Sequence, residues 1–142
     1  MWLYGKDEIH SLEDIFEHKE NVYGFIYEVE HKPTKKKYIG KKVLMFNRTL
    51  PPLKGQKRKR KVVKESDWKT YVGSQLEVKQ LLKEGTLDDF KRTILMLVPT
   101  KKLLTYYEIK ALFIKNALED DNYLNNNILG KFYKKDFDYD TT

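Results

Sequence analysis

Two tyrosines, one arginine and one glutamate are the residues whose types and positions suggest chemistry. Tyr27 and Tyr38 stand eleven positions apart, each in a short run of strand character. Lys37 precedes Tyr38, and Lys41 and Lys42 follow it. A phenol titrates near pH 10, so it serves as a base near neutrality only when cations lower its pKa. Lys37 and Lys41 are candidates to supply that field, and the hairpin register decides which of them approaches Tyr27. The other fate of a strand tyrosine is core packing. Arg48 follows Tyr38 by ten residues. Glu108 lies one helical turn from both Leu104 and Leu112, at the border of an apolar stripe, where a carboxylate needs a cation or a hydrogen-bond donor.

The elements that must position these residues follow from periodicity. Val22–Val29 and Tyr38–Val43 are rich in aromatic and β-branched residues and flank a polar turn, His31-Lys32-Pro33-Thr34-Lys35. That pattern predicts an antiparallel hairpin, about 22–30 and 36–44. Alternation puts Tyr23, Phe25, Tyr27 and Val29 on one face, and Tyr38, Gly40 and Lys42 together on a face of the second strand. Arg92–Val98 is a nearly continuous apolar run ended by Pro99 and predicts a buried third strand. Ser11 is the N-cap expected of a short helix reaching about His18. Ser74-Gln75-Leu76-Glu77 has the capping-box pattern, with Gly85 as the stop. Thr100 caps a helix expected over about Lys101–Leu118. Leu44–Ser66, with Pro51, Pro52 and Gly55, predicts irregular structure. The sum is a small α/β (α+β) domain with a three-stranded antiparallel or mixed sheet and flanking helices. One domain is expected over 1–142, with its core at about 22–130, a basic loop at about 47–66 and an acidic tail at 134–142.

Composition narrows the partners. The 142 residues carry a net charge of +7 and no cysteine, which excludes a disulfide framework and a thiolate metal site. His10, His18 and His31 lack metal-ligand spacing. No apolar run is long enough to span a membrane, and the N-terminus lacks a signal-peptide core; a soluble, cytoplasmic protein is expected. Residues 31–64 contain fourteen Lys or Arg and no Asp or Glu, while the rest has fourteen basic and twenty-one acidic residues. All the surplus positive charge lies in that block, the electrostatic footprint of a phosphate-backbone binder. Lys42, Lys54, Lys57, Arg58, Lys59, Arg60, Lys61 and Lys64 are the expected DNA contacts. Lys54–Lys64, with no aromatic residue for base stacking, is expected to touch phosphates and read little sequence.

The paired tripeptides Phe25-Ile26-Tyr27 and Tyr38-Ile39-Gly40 resemble the motif of the GIY-YIG nuclease superfamily, the second letter for letter. Further stretches resemble the phage Seg-type freestanding homing endonucleases. These are Tyr38–Lys42, Trp68 with Tyr71-Val72-Gly73-Ser74, Gly85 with Phe90-Lys91-Arg92, Tyr106-Tyr107-Glu108, and Tyr123 with Asn125. The resemblance covers roughly 22–130 and implies a DNA endonuclease. By resemblance, Glu108 binds Mg²⁺ (or Mn²⁺), Arg48 neutralises charge on the phosphate, Tyr27 activates water and Tyr38 orients water or phosphate. Gly40 and Asn125 support the site, and the products carry a 5′ phosphate and a 3′ hydroxyl. Many members have a His shortly after the Arg; here Thr49-Leu50-Pro51-Pro52 follows, so that role falls to Tyr71 or a loop lysine, or is absent. A binding protein that uses segment 31–64 without chemistry, and an RNA-directed nuclease, are the alternative readings.

Overall fold

A computed structural model describes residues 1–139, with the backbone alone at Arg48. The last residues of the acidic tail, Asp140 to Thr142, lie outside the described residues. In chain order the elements are β1 (Trp2–Tyr4), β2 (Asp7–Ile9), α1 (Leu12–His18), β3 (Gly24–His31), β4 (Lys36–Val43), β5 (Met45–Leu50), β6 (Arg60–Glu65), α2 (Leu76–Glu84), β7 (Phe90–Val98), α3 (Lys101–Ile114), β8 (Asn127–Ile128) and β9 (Phe132–Tyr133). Short 3-10 turns occupy Leu87–Asp89 and Lys134–Phe137.

The α/β class holds, but the main sheet has five strands rather than three, in the order β2-β1-β7-β3-β4. The two additional strands are three residues each and escaped the periodicity reading for that reason. Gly5, at φ +62°, makes the tight turn between them, a left-handed conformation that glycine adopts without a side-chain clash. β1 runs parallel to β7, with Leu3 opposite Thr93, and β3 pairs antiparallel with both β4 and β7. A register shift between Ile26 and Tyr27 interrupts the β3–β7 ladder immediately before the first tyrosine of interest.

Each face of the sheet has its own core. On one face Phe25, Tyr27, Val29, Ile94 and Leu97 pack with Trp2, with Ile15 of α1, with Val78 of α2, and with Trp68 and Val72. On the other, Ile26, Ile39 and Val98 pack under Leu104 and Leu112 of α3, with Leu118, Tyr123 and Ile128. The apolar run of β7 is explained by this burial on both sides. Ser11 and Thr100 cap α1 and α3 by accepting from Asp14 N–H and Leu103 N–H. Gly85 closes α2 as expected, but α2 starts one residue late: its N-cap is Gln75, without a side-chain cap. α3 stops at Ile114 rather than near Leu118, because Asn116 turns the chain into the left-handed region.

The largest departure concerns the basic segment. In place of an irregular loop, β5 and β6 form an antiparallel ribbon, from Met45 opposite Glu65 to Leu50 opposite Arg60. The prolines and Gly55 are confined to the connecting turn, so they leave the ladder uninterrupted.

Candidate active site

The register of the hairpin decides which residues meet. Tyr27 pairs with Gly40 and Val29 with Tyr38, so both tyrosines, Gly40 and Lys42 share a face. Lys41 pairs with Ile26 and Lys37 with Glu30, which places them on the opposite face. Neither of these lysines sits beside Tyr27, because both are odd-numbered positions on a strand whose even-numbered positions face the tyrosine. Lys37 instead lies over the Tyr123 ring, at 5.8 Å, and Lys41 donates to Thr105 Oγ1 at 2.9 Å.

Tyr27 is 1% exposed, against a half-buried Tyr38. Its ring packs edge-on against Tyr71, with centroids 6.0 Å apart, and tilts against Tyr38 at 6.4 Å. Its hydroxyl lies over the backbone of Gly40, where any Cβ would overlap it. Gly73 covers the other side. A Cβ there would stand 3.1 Å from the Tyr38 ring and 3.5 Å from the Tyr27 hydroxyl, and its φ of +138° favours glycine in addition. Burial pushes the Tyr27 phenol well above its ordinary pKa, reinforced by Tyr71, Tyr38 and Glu108. Burial also raises Tyr38 and Tyr71, and for both the Ser74 side chain opposes the rise by hydrogen bonding.

The cation on this face is Lys42. Its ammonium sits 3.8 Å from the centroid of the Tyr71 ring and pairs with Asp67 at 2.6 Å. The Lys42 side chain is only 9% exposed. Lys42 is therefore not part of an exposed phosphate-binding surface: its charge is committed to Asp67 and to the aromatic cluster. Arg92, 3% exposed, holds the same loop from beneath. Its guanidinium donates to the carbonyls of Lys69 and Tyr71 at 2.7 and 3.1 Å and stacks on Trp2 at 4.6 Å. Burial pulls its pKa down to about 10, which leaves it charged near neutrality.

The outer edge of β4 is where Tyr38 meets the other candidates. Lys37 exchanges hydrogen bonds with the backbone of Asn122 and Leu124. Two residues on, Asn125 continues that ladder with its side chain: Oδ1 accepts from Ile39 N–H at 3.0 Å, and Nδ2 donates to Ile39 C=O at 2.8 Å. A cleft of about 330 Å³ opens beside this edge, lined by Tyr38, Lys41, Thr105, Glu108, Asn125 and Asn127 among others. Glu108 is half-buried, and burial raises its pKa while the charge and backbone N–H of Lys41 oppose the rise. Among the described residues no group of three or more His, Cys, Asp or Glu side chains comes together, and Glu108 is the one carboxylate among the residues that line the cleft.

Arg48 lies in β5, opposite Val62 in the ribbon; its side chain is outside the described residues. Lys54, Lys57, Arg58, Lys59, Arg60, Lys61 and Lys64 are all exposed on the ribbon and its turn. Sequence reasoning gave no site role to Asp67, Gly73, Ser74, Arg92 or Thr105. Gly73 and Ser74 lie within a stretch whose likeness to Seg-type enzymes is visible, whereas the partnership of Asp67 with Lys42 spans twenty-five residues and has no local signal.

A family model described as "Putative endonuclease segE, GIY-YIG domain" matches residues 2–128. The chain belongs to this GIY-YIG family. No curated protein and no solved structure matches it. The match embraces both tyrosines, the cleft at β4, the ribbon and Glu108. A GIY-YIG endonuclease domain is a nuclease, a phosphodiester hydrolase.

Proposed function

We propose that this chain is a metal-dependent DNA endonuclease whose reaction centre is the cleft on the outer edge of β4. The observation that carries the reading is the convergence of Tyr38, Lys41, Glu108 and Asn125 on that cleft within a GIY-YIG chain. Hydrolysis of a phosphodiester needs an oriented water, neutralisation of the charge that develops on phosphorus-bound oxygens, and stabilisation of the leaving oxygen. A lone, half-buried carboxylate suits Mg²⁺ or Mn²⁺, because a small hard cation keeps several waters and takes phosphate oxygens for the rest of its shell. Glu108 is the residue that would hold it, and the bound ion supplies Lewis-acid and leaving-group stabilisation.

The chain's own groups then divide the work. Tyr38, at the cleft wall, orients the attacking water or the phosphate. Tyr27 is too enclosed to meet a water directly, so we assign it a positioning role behind Tyr38 and Tyr71, whose rings it packs against. Lys41 beside Glu108 favours the ionised carboxylate, and Arg48, assigned by the family resemblance, supplies the neutralising cation for the phosphate. Asn125 is a positioning residue: both of its polar groups are spent on the backbone of Ile39, next to Tyr38.

The test is plasmid cleavage with Mg²⁺ or Mn²⁺ for the wild type, Glu108→Ala and Tyr27→Phe. Loss of cutting in Glu108→Ala, with duplex binding retained, is expected. Cutting by Glu108→Ala at the wild-type rate would overturn the assignment. Running an RNA duplex beside the plasmid separates the DNA reading from the RNA-directed one.

A further inference from the structure

The ribbon of β5 and β6 is unusual in having no core. Its ladder runs for six residues on each strand, and its pairing with the body is confined to the base, where Ser66 bonds to Leu44 and Val43. A two-stranded ribbon that buries so little is marginal in water on its own. Its length is roughly 20 Å at about 3.4 Å per residue.

Its two sides differ. Phe46 sits at the root, half-buried and 5.1 Å from the Lys42 ammonium, so the side bearing Phe46 is turned toward the body. The side that pairs Asn47 with Val63 and Thr49 with Lys61 is turned away, with all four residues exposed. Val63 is 60% exposed, against 39% for Val62 on the other side. Glu65, the one carboxylate at the end of this outward side, accepts from the Trp68 indole at 2.9 Å and lies 3.7 Å from Lys69. The outward side therefore presents an amide, a hydroxyl with its methyl group, an ammonium and an apolar branch.

Resting on the endonuclease reading, we propose that the β5–β6 ribbon is a major-groove reading arm for duplex DNA. Asn47, Thr49, Lys61 and Val63 face base edges, and the basic turn before β6 grips the flanking phosphates. The B-form major groove admits a two-stranded ribbon, and it displays adenine to an amide, guanine to a lysine and the thymine methyl to apolar groups. Charge complementarity selects a polyanion as the occupant, since the segment from 31 to 64 has fourteen basic residues and no acidic one. The deep, narrow major groove of A-form RNA does not admit such an arm, which favours DNA. The irregular basic loop expected from sequence would touch phosphates alone; a ribbon also holds a defined set of side chains toward the bases.

The experiment uses the full chain in EDTA, so that binding is read apart from cutting. A random-core DNA duplex pool is selected on the wild type, and the enriched duplexes are probed with dimethyl sulfate, which methylates guanine N7 in the major groove and adenine N3 in the minor groove. Expected are an enriched motif, protection of N7 within it, and unprotected N3. The variant Asn47→Ala/Thr49→Ala/Lys61→Ala keeps duplex binding but prefers the motif at least about tenfold less and loses the N7 protection. Absence of an enriched motif, protection at N3 instead of N7, unchanged preference and protection in the triple variant, or preference for duplex RNA would each overturn the proposal. A wild type that cuts DNA without N7 protection leaves the nuclease and removes the reading arm. One that protects N7 yet never cuts with Mg²⁺ or Mn²⁺ leaves the arm and removes the nuclease.

Discussion

The side chain of Asn125 bonds both the N–H and the C=O of Ile39, so that a single amide stands in for the next strand at the edge of the sheet. Tyr38 and Gly40 flank Ile39, and one is the wall of the cleft while the other is the seat of the Tyr27 hydroxyl. The asparagine is 5% exposed, so its removal leaves buried backbone groups without partners. Each such group costs about 1–3 kcal/mol. Asn125→Ala is expected to lower stability by about 2–4 kcal/mol and to reduce cleavage in the surviving folded fraction. Denaturant unfolding, with cleavage measured well below the midpoint, checks both. An unchanged midpoint would show that water replaces the amide at this edge.

Gly40 makes a sharper test of the tyrosine arrangement. A methyl group at position 40 collides with the phenol of Tyr27 rather than with a flexible chain end. The ring is enclosed by Trp2, Phe25 and Tyr71 and has nowhere to retreat. Overpacking of this kind costs about 1–3 kcal/mol. Gly40→Ala is expected to lose that much stability and most cleavage. Tyr27→Phe removes the overlap with the hydroxyl but leaves the ring carbon that bore it 2.7 Å from the added methyl group, so the double variant should regain only part of the stability and none of the activity. A Gly40→Ala protein with wild-type stability would mean that the hydroxyl does not rest over Gly40.

Glu108 ties stability to pH with a definite sign. Burial raises its pKa, so the folded state holds the proton more tightly than the unfolded chain does. Between the two pKa values the native state binds more protons, and stability therefore falls as pH rises through that window. Above the window the ionised carboxylate is a standing cost. Glu108→Gln is expected to raise Tm at neutral pH and to lose that advantage below the ordinary carboxylate range, while abolishing cleavage. Mg²⁺ should raise the Tm of the wild type by mass action and leave the variant unmoved. Equal Tm values for the two proteins at pH 7 would show that Lys41 already compensates the buried charge.

These three residues also show how far the sequence could be read. The hairpin, the helix caps at Ser11 and Thr100 and the buried β7 run were legible because they are local patterns. The grouping of Tyr27 with Gly40 and of Tyr38 with Val29 needed the register, which a five-residue polar turn does not specify. For the same reason Lys37 and Lys41 were candidates for the cation beside Tyr27, although both lie on the opposite face and the lysine of the tyrosine face, Lys42, sits over Tyr71. β1 and β2 were too short for a period of two to appear. The ribbon was hidden by its composition: lysine and arginine at alternate and adjacent positions mask a strand, and Pro51, Pro52 and Gly55 drew the boundary of the loop too wide.

The charge of the ribbon yields the last prediction. Lys57, Arg58, Lys59, Arg60 and Lys61 are exposed, and among the described residues none of them forms an ion pair with a carboxylate. Cations held in water at so little cost are available to displace counterions from a nucleic-acid backbone. On duplex DNA the logarithm of the binding constant then falls with the logarithm of salt concentration by a slope of about −0.9 for each phosphate neutralised. Replacing all five residues with Gln is expected to flatten the slope by about two to four units if Lys57 to Arg60 grip phosphates as a unit, to weaken non-specific duplexes uniformly and, through Lys61, to lower the preference for the enriched motif. Cleavage at saturating protein should persist, because Tyr38 and Glu108 lie in the body of the domain. A salt titration of binding for the wild type and the five-fold variant measures the change. Parallel titration lines would show that the turn stays in solvent and that the body of the domain alone carries the affinity.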